Sequence, residues 1–410
     1  MSVQTLQPVG IKSQPVKFQA LPPLSLYIHI PWCVRKCPYC DFNSHEVRGA
    51  IAADKGVMAP TFPEREYVAA LVRDLELALP QIWGRKVHTV FFGGGTPSLL
   101  SGESVAEILR QVRMLLPLDI NAEVTLEANP GTVEAGRFAA YREAGVNRLS
   151  LGIQSFNDAH LQALGRIHSA DEAKCAIDIA QRHFDNINFD LMYALPQQTL
   201  VQALQDVQSA LQFKPQHLSC YHLTLEPNTL FYRNPPPLPD DDASSDMQQR
   251  IEELLAAHGY EHYETSAFAQ PKYRARHNLN YWQFGDYLGV GAGAHSKLSF
   301  HDKVIRQARY KQPQTYLDAV AQGASVQVEH ALSKDDLAFE FMMNALRLND
   351  GFDAALFQER TGLPLLSIRR ELEEAGRRGL LWRDAKKIAP TESGRRFLND
   401  LLQIFLPSEG

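Results

Sequence analysis

The stretch YIHIPWCVRKCPYCDF, residues 27–42, decides both the fold and the chemistry expected of this chain. Three of the five cysteines lie within it, and Cys33, Cys37 and Cys40 are spaced as Cx3Cx2C. They follow an alternating apolar run from Leu24 to Ile30, and such a run predicts a β-strand. Three thiols this close together at the end of a strand predict a metal-binding loop.

The number of available ligands narrows the choice of metal. A structural zinc site takes four protein ligands, and iron–sulfur clusters are usually held by four thiolates. Here Phe42 stands where a fourth cysteine would most naturally lie, and Cys175 and Cys220 are far away in sequence. A [4Fe-4S] cluster on three thiolates leaves one iron open to a substrate or cofactor. Two alternatives stay open: a zinc site completed by His29 or His45, and three cysteines buried merely as small apolar side chains.

The cysteine triplet, with Tyr39 directly before its last member, resembles the cluster loop of radical S-adenosylmethionine (SAM) proteins. The flanking residues YIHIPWC resemble the coproporphyrinogen dehydrogenase-like branch of that superfamily. The resemblance implies that Cys33, Cys37 and Cys40 hold a [4Fe-4S] cluster and that the amine and carboxylate of SAM bind its open iron. It also implies that the cofactor supplies the difficult chemistry, a 5′-deoxyadenosyl radical, while the protein positions it.

Composition indicates an ordinary soluble globular protein. With 410 residues, 45% hydrophobic and 21% charged, the chain can bury one large core and a smaller second one. A net charge of -6 gives no general reason to bind nucleic acid. No apolar run approaches the roughly 18–20 residues of a membrane span, and the N-terminus lacks the apolar core of a signal peptide. We therefore expect a cytoplasmic protein, in keeping with free thiols and an oxygen-sensitive cluster. Peripheral membrane association stays open, as does the oligomeric state.

Strand and helix patterns alternate strictly through the first half of the chain. The predicted strands are residues 24–30, 87–92, 122–128, 148–153, 187–194 and 217–223. Strict alternation predicts a parallel sheet of the α/β class. Six units are too few for a closed eight-stranded barrel, so we expect a partial (β/α)6 TIM-like barrel, which is also the fold that the radical SAM resemblance implies.

We expect four segments in the chain. Residues 1–23 read as a flexible arm, 24–240 as the barrel, 241–330 as an extension, and 331–410 as a smaller α-rich, winged-helix-like domain. A proline-rich linker at residues 234–242 marks the end of the barrel. A winged-helix DNA-binding domain is the alternative for the last segment. Its residues 365–410 hold nine Lys and Arg against seven Asp and Glu, too balanced for a basic surface, so a lid or partner-docking domain is favoured.

Polar residues collect where the predicted strands end, which in βα barrels is the catalytic end. The sequence GGGTP, residues 93–97, permits close approach of a ligand to the backbone and offers free N–H groups, although a tight turn explains it equally well. Glu127 ends an otherwise apolar strand, where a carboxylate needs a partner, and a salt bridge to Arg148 is the alternative to a ligand contact. Arg166 and Asp190 would form a buried ion pair as readily as they would bind a ligand.

The resemblance assigns roles to these positions. Gly94, Gly95 and Thr96 match the segment that accepts the SAM ammonium group, and Tyr27 and Tyr39 match positions beside the cluster and SAM. The other matching SAM contacts, including those for a second SAM in the dehydrogenase branch, are Gln154, Glu127, Arg166, Asp190 and His295.

A second motif, HNLNYW at residues 277–282, follows the barrel. His277 stands among aromatic residues with arginines nearby, a mixture suited to a flat porphyrin with anionic propionates. On chemistry alone, a histidine satisfied by hydrogen bonds in an aromatic cluster is the more frequent case. The HNxxYW pattern resembles a branch of radical SAM haem chaperones, and this resemblance implies haem contacts by His277, Tyr281 and Trp282.

The resemblance therefore predicts a haem chaperone that binds a [4Fe-4S] cluster, SAM and haem and passes haem to acceptor proteins, rather than an enzyme. The alternative is an oxygen-independent coproporphyrinogen III dehydrogenase, which decarboxylates two propionates. That branch is expected to carry a further cysteine where this chain has Phe42, together with a longer N-terminal arm. A third alternative is another radical SAM enzyme with a different substrate.

Overall fold

The computed structural model describes residues 16–47, 62–132 and 135–407. Its strands are β1 (Leu24–Ile30), β2 (Trp32–Cys33), β3 (His45–Glu46), β4 (Val87–Gly94), β5 (Leu118–Ala128), β6 (Arg148–Gln154), β7 (Ile187–Tyr193), β8 (His217–His222), β9 (Glu261–Glu264), β10 (Ala267–Ala269), β11 (Asp286–Val290), β12 (His295–Ser299), β13 (Val304–Arg309), β14 (Val326–Ala331), β15 (Phe352–Asp353), β16 (Leu381–Arg383) and β17 (Lys387–Pro390).

The α-helices are α1 (Glu64–Ile82), α2 (Gly102–Leu115), α3 (Ala135–Ala144), α4 (Asp158–Ala163), α5 (Ala170–Gln181), α6 (Leu200–Gln212), α7 (Leu230–Arg233), α8 (Asp241–Ala257), α9 (Arg276–Trp282), α10 (Pro313–Ala321), α11 (Lys334–Ala345), α12 (Ala354–Thr361), α13 (Arg369–Arg377), α14 (Glu392–Arg396) and α15 (Leu398–Gln403). Short 3-10 helices cover Pro97–Leu99, Pro130–Thr132 and Leu365–Ile368.

The six predicted strands form the centre of one sheet. Strands β1, β4, β5, β6, β7 and β8 lie side by side in that order and are all parallel. Helices separate successive strands along the chain, so each connection is a βαβ crossover. The predicted partial (β/α)6 barrel is confirmed, and its strand ends bring the predicted rim residues to one end of the sheet.

Helix starts follow the local sequence. The side chains of Ser169 and Thr199 each accept a hydrogen bond from the backbone N–H three residues on, and the side chains of Glu172 and Gln202 accept one from the backbone N–H of the cap residue. These reciprocal bonds satisfy N–H groups that a helix end otherwise leaves unpaired. Both capping boxes fix where α5 and α6 begin, and therefore how long the loops at the rim can be.

The sheet continues beyond the barrel strands on both sides. Its full order is β14-β13-β12-β11-β1-β4-β5-β6-β7-β8-β10-β9. Strand β11 pairs parallel with β1, while β12 to β14 and the two strands beyond β8 pair antiparallel with their neighbours. The segment expected to be an extension is thus part of the central sheet, and its strand β11 borders the strand that leads to the cysteines.

Two large apolar cores, with two small clusters beside them, hold the described part of the fold together. The larger fills the space between the barrel strands and their helices, and the smaller lies among α11 to α15 and the three-stranded sheet β15-β17-β16. Val16 and Phe18 are buried in the smaller core, so the end of the expected flexible arm, residues 16–23, is packed; residues 1–15 lie outside the described residues. Two apolar side chains suffice to anchor this stretch.

The last segment is mainly helical with a short antiparallel sheet, as expected from its sequence. Strands β16 and β17 pair antiparallel and form a short hairpin in this segment. In the part of the chain that the structure describes, no helix has both the length and the apolar character needed to cross a bilayer.

Candidate functional site

The cysteine loop leaves β1 and is closed by a second, very short pairing. In the parallel pair β2–β3, Trp32 lies opposite His45 and Cys33 opposite Glu46. The His45 backbone N–H donates to Pro31 O at 2.7 Å, and the Val47 N–H donates to Cys33 O at 2.9 Å. The loop therefore returns to its own start, which fixes the backbone on both sides of the three cysteines.

Each of the three thiols has a polar neighbour. Thr96 Oγ1 donates to Cys33 Sγ at 3.5 Å, and Arg166 Nη1 donates to Cys37 Sγ at 3.7 Å. Cys40 Sγ lies 4.0 Å from Ser44 Oγ. Burial raises the pKa of the Cys33 thiol to about 11, so its thiolate is costly without a metal. Hydrogen-bond donors near ligating sulfurs commonly tune the reduction potential of iron–sulfur clusters. The polar neighbours of the three cysteines therefore fit an iron–sulfur cluster.

The zinc alternative is not supported by the donor geometry. Among the described residues, no group of three or more His, Cys, Asp or Glu side chains is arranged to hold a metal ion. His29 is committed elsewhere, because its Nδ1 lies 3.1 Å from Tyr27 Oη and its Nε2 lies 2.9 Å from Asn43 O. A closed zinc site needs its ligands around one ion, whereas a cluster spreads its thiolates over separate irons.

The glycine triplet does not offer the free N–H groups expected from its sequence. The N–H of Gly94 donates to Glu127 Oε2 at 3.3 Å, that of Gly95 to Ile30 O at 2.7 Å, and that of Thr96 to Trp32 O at 2.7 Å. A Cβ on Gly95 would lie 2.5 Å from Trp32 O, so this position requires glycine for packing against the cysteine loop. With these donors engaged, the turn can serve a ligand through carbonyl oxygens, which suits an ammonium group.

Glu127 faces a cavity of about 590 Å³ and is the most perturbed carboxyl at the rim. Burial and the neighbouring Asp190 raise its pKa to about 8, although the Gly94 N–H and Arg148 oppose the shift. The alternative, a salt bridge to Arg148, is not formed among the described residues, and Arg148 acts on Glu127 only at longer range. Glu127 accepts the Gly94 N–H and lines the cavity, where its ionised form can meet a positively charged ligand.

Arg166 and Asp190 belong to different networks and form no ion pair with each other. Arg166 Nη2 donates to Gly152 O at 2.8 Å, in addition to its contact with Cys37. Asp190 accepts hydrogen bonds from Ser150 Oγ at 3.0 Å and Asn188 Nδ2 at 2.8 Å. Arg166 thus lies beside the cysteine loop, whereas Asp190 lies deeper in the barrel.

The structure brings four of the predicted SAM contacts to one cavity. Tyr27, Gly94, Glu127 and His295 all line the 590 Å³ space, together with lysines that the sequence did not single out. The remaining predicted contacts that do not line it are Tyr39, Gly95, Thr96, Gln154, Arg166 and Asp190. Thr96 and Arg166 contact the cysteine sulfurs instead, whereas Asp190 lies deeper in the barrel.

The histidine of the HNxxYW motif lies inside the fold, whereas Tyr281 is partly buried and lines the 590 Å³ cavity. His277 is 1% exposed, its Nδ1 lies 2.7 Å from Thr89 Oγ1, and its Nε2 lies 3.1 Å from Tyr281 Oη. Asn280 Nδ2 donates to Ser25 Oγ at 2.9 Å. Both ring nitrogens of His277 are engaged, and burial lowers the pKa of this imidazole to about 3. The geometry matches the alternative of a histidine satisfied within an aromatic cluster.

One residue that positions the cysteine loop was missed. Asn43 Nδ2 donates to Ala292 O at 3.0 Å and to Lys311 O at 2.9 Å, which ties the loop to the extension. The polar run Asn43-Ser44-His45 directly after the loop was the available signal. Its partners are backbone carbonyls about 250 residues away, and no sequence pattern identifies those.

Comparison with known proteins now gives this geometry a family. Residues 27–210 match the radical SAM superfamily, and residues 332–397 match the HemN C-terminal domain. The chain is 48% identical to the protein named heme chaperone HemW of Escherichia coli strain K12, over 94% of this chain and 99% of that relative. The chain belongs to the HemW family. It is also 46% identical to heme chaperone HemW of Haemophilus influenzae, over 95% of this chain and 99% of that protein.

The architecture of the family member described here also resembles a solved structure. Coproporphyrinogen III oxidase (HemN) from Escherichia coli, a radical SAM enzyme, superposes with a TM-score of 0.78 at 24% sequence identity. The match covers 94% of this chain and 90% of that chain. At this identity the likeness shows a shared fold.

Membership in a radical SAM family leads to a prediction for Glu127. The groups that face it are Tyr27, Arg148, Asp190 and Tyr221. Its pKa of about 8 means that the carboxyl is mostly protonated at pH 7 and ionises as the pH rises. Since a cation binds the ionised form better, SAM affinity relative to that of Glu127→Gln is expected to rise up to about tenfold from pH 7 to pH 9.

Anaerobic calorimetric titration of SAM into both proteins checks this prediction. The α-amine of SAM also changes its ionisation between pH 7 and pH 9, and this affects both proteins. The test is therefore the ratio of the SAM affinity of the wild type to that of Glu127→Gln at each pH, and not the wild-type affinity alone. Glu107→Gln, on the exposed face of α2, is the control and should follow the wild type. A ratio that stays constant with pH would show that Glu127 does not meet the cationic part of SAM.

Proposed function

We propose that this protein is a haem chaperone that holds a [4Fe-4S] cluster on Cys33, Cys37 and Cys40, binds SAM beside it, and delivers haem to acceptor proteins. The observation that carries the proposal is the 48% identity, over nearly the full length of both chains, to a protein named heme chaperone HemW. The site supports the first part, because three thiols with polar neighbours are held by a loop that pairs with itself.

The dehydrogenase alternative has less support. Phe42, at the position where that branch is expected to carry a further cysteine, is 60% exposed and available to solvent. The likeness to HemN extends to the fold and not to the chemistry at 24% identity. We therefore place the protein among haem carriers rather than decarboxylating enzymes.

Haem contacts by His277, Tyr281 and Trp282 stay a prediction. To bind iron, His277 would have to leave Thr89 or Tyr281, its partners in the barrel interior. Trp282 carries the guanidinium of Arg347 over its ring at 4.3 Å.

A cytoplasmic location is part of the proposal, since reducing conditions keep the three thiols available for a cluster. Peripheral membrane association also stays a prediction.

One pair of assays tests the proposed function. Anaerobically reconstituted protein is expected to bind hemin at a ratio of one to one, with a shifted Soret band, and to form no protoporphyrinogen from coproporphyrinogen, SAM and reductant. The measurements are an absorbance titration and chromatographic detection of the tetrapyrrole product. Formation of protoporphyrinogen would replace the chaperone with the dehydrogenase, and absence of hemin binding would remove the chaperone altogether.

A further inference from the structure

Two tyrosines form part of the wall of the 590 Å³ cavity. Tyr281 belongs to the HNxxYW motif and Tyr287 lies on β11, and both line the space that holds four of the predicted SAM contacts. Their rings meet edge to face, with centroids 4.6 Å apart and planes at 82°. Aromatic rings prefer this arrangement, so whatever holds one of the two rings also restrains the other.

The hydroxyl of Tyr287 is held by an arginine of β13. Arg306 Nη1 donates to Tyr287 Oη at 2.5 Å, and the O–H proton of Tyr287 itself has no acceptor among the described residues. Burial raises the pKa of Tyr287, although Arg306 opposes the shift, so the hydroxyl keeps this proton at neutral pH. Tyr287 therefore has one hydrogen-bond donor left for a molecule in the cavity.

Arg306 is in turn held by helix α11, which lies in the segment that matches the HemN C-terminal domain. Its Nε donates to Glu340 Oε2 at 3.1 Å, and its Nη2 forms an ion pair with the same carboxylate. The two side chains are only 20% and 19% exposed, so solvent screens this pair less than it screens a surface salt bridge. Glu340 does not line the cavity and reaches it only through Arg306.

Helix α11 supports the same region at two further points. Phe341 packs edge to face against Phe284, with centroids 5.8 Å apart, and both belong to the smaller apolar core. Arg347, two residues beyond the end of α11, lies over the ring of Trp282 at 4.3 Å. The helix is therefore fixed against the residues on either side of the tyrosine pair, and it can serve as a support for Arg306.

We propose that Tyr287 donates a hydrogen bond to SAM bound in the 590 Å³ cavity, and that Arg306 and Glu340 are positioning residues through which the C-terminal domain orients it. This inference rests on the proposed function, because it takes SAM as the occupant of the cavity. It also gives the HNxxYW motif a part in shaping the SAM site, through Tyr281, that needs no iron contact by His277.

Anaerobic calorimetric titration of SAM into reconstituted protein tests the contact. Tyr287→Phe keeps the ring and removes the hydroxyl, so it is expected to weaken SAM binding by roughly three- to tenfold, the worth of one hydrogen bond. Tyr260→Phe is the matched control. Tyr260 also forms a hydrogen bond of 2.5 Å, to Pro215 O, but it does not line the cavity, and its loss should leave SAM affinity unchanged.

Glu340→Gln tests the positioning. It removes the carboxylate that holds Arg306 without altering a residue of the cavity, and it is expected to weaken SAM binding by no more than Tyr287→Phe does. In protein that already carries Tyr287→Phe, Glu340→Gln should have no further effect, because the hydroxyl that it orients is gone. A loss of stability alone would not produce this dependence. Glu374→Gln, which removes the partner of Arg378 on α13, is the control.

Thermal unfolding of each variant monitors the fold, and Tyr287→Phe decides by itself if the loss of Glu340 prevents folding. Unchanged SAM affinity in either single variant, or effects that multiply in the double variant, would overturn this inference alone. Failure of the wild type to bind SAM would overturn the proposed function itself.

Discussion

Replacing Cys37 with alanine is expected to remove essentially all of the iron–sulfur cluster while leaving the fold intact. Only three thiolates are available, and with two left the cluster loses a ligand for which the loop offers no replacement. Cys37 is half-buried in a loop, and its contact to Arg166 Nη1 is long, at 3.7 Å, so its removal costs little packing. The measurements are iron and acid-labile sulfide per chain, with circular dichroism to monitor the fold.

Cys175→Ala is the matched control for that experiment. Cys175 is an exposed cysteine on α5, away from the loop, and its removal should leave iron and sulfide unchanged. A Cys37→Ala protein that still carries a full complement of iron and sulfide would show that the cluster is held by other residues. Stoichiometric zinc in the wild type would also contradict the assignment of a [4Fe-4S] cluster to the three cysteines.

The second large effect concerns stability and involves Asp286 at the start of β11. This buried carboxylate lies 2.8 Å from Arg85 Nη2 and 3.0 Å from Lys297 Nζ, and it accepts the Ser299 N–H at 2.8 Å. Asp286→Ala would leave two cations without their shared anion. Breaking a buried pair in this way costs about 3–5 kcal/mol, so the midpoint of thermal unfolding is expected to fall by roughly 4–6 °C.

The pH dependence of Asp286 follows from its environment. Burial would raise its pKa, but Lys297 and Arg85 outweigh burial and hold the pKa below its usual value. Its stabilising contribution is therefore present above the unfolded pKa of about 3.9 and is lost as the pH falls below it. Calorimetry of Asp286→Ala and wild type at pH 7 measures the effect. Glu107→Ala, an exposed partner of Arg110, should behave as the wild type, and an equally small change for Asp286→Ala would contradict the argument.

Much of the barrel could be predicted because each unit carries a local signal. The apolar run of β7 is buried on both sides of the sheet, and the capping residues Ser169 and Thr199 mark helix starts within one residue. Such signals depend only on residues a few positions apart in the chain, so they can be recognised without knowing the fold.

The outer strands could not be predicted in the same way. Strand β14, with the sequence VQVEHA, has only partly buried or exposed side chains, and β9 and β10 are four and three residues long. Short, solvent-facing edge strands are defined by the ladder they join rather than by their own apolar pattern. This is why the segment after residue 240 was expected to be a separate extension although it completes the sheet.

The candidate site shows the same division. Cysteine spacing and the carboxylate of Glu127 could be recognised from sequence, because unusual residue types at the ends of predicted strands can be identified from the order of the residues alone. The engaged N–H groups of Gly95 and Thr96 and the enclosed ring of His277 depend on which residues the fold places opposite them. Those partners come from distant segments, so only the structure could supply them.

The bond from Asn43 to the extension also affects the order in which this protein can be assembled. Its two acceptors, Ala292 O and Lys311 O, leave the ribosome some 250 residues after the cysteines do. A nascent chain therefore presents its thiols long before the loop can adopt its final shape. Iron–sulfur insertion into the finished geometry consequently has to wait until the segments around Ala292 and Lys311 have been made and have joined the sheet.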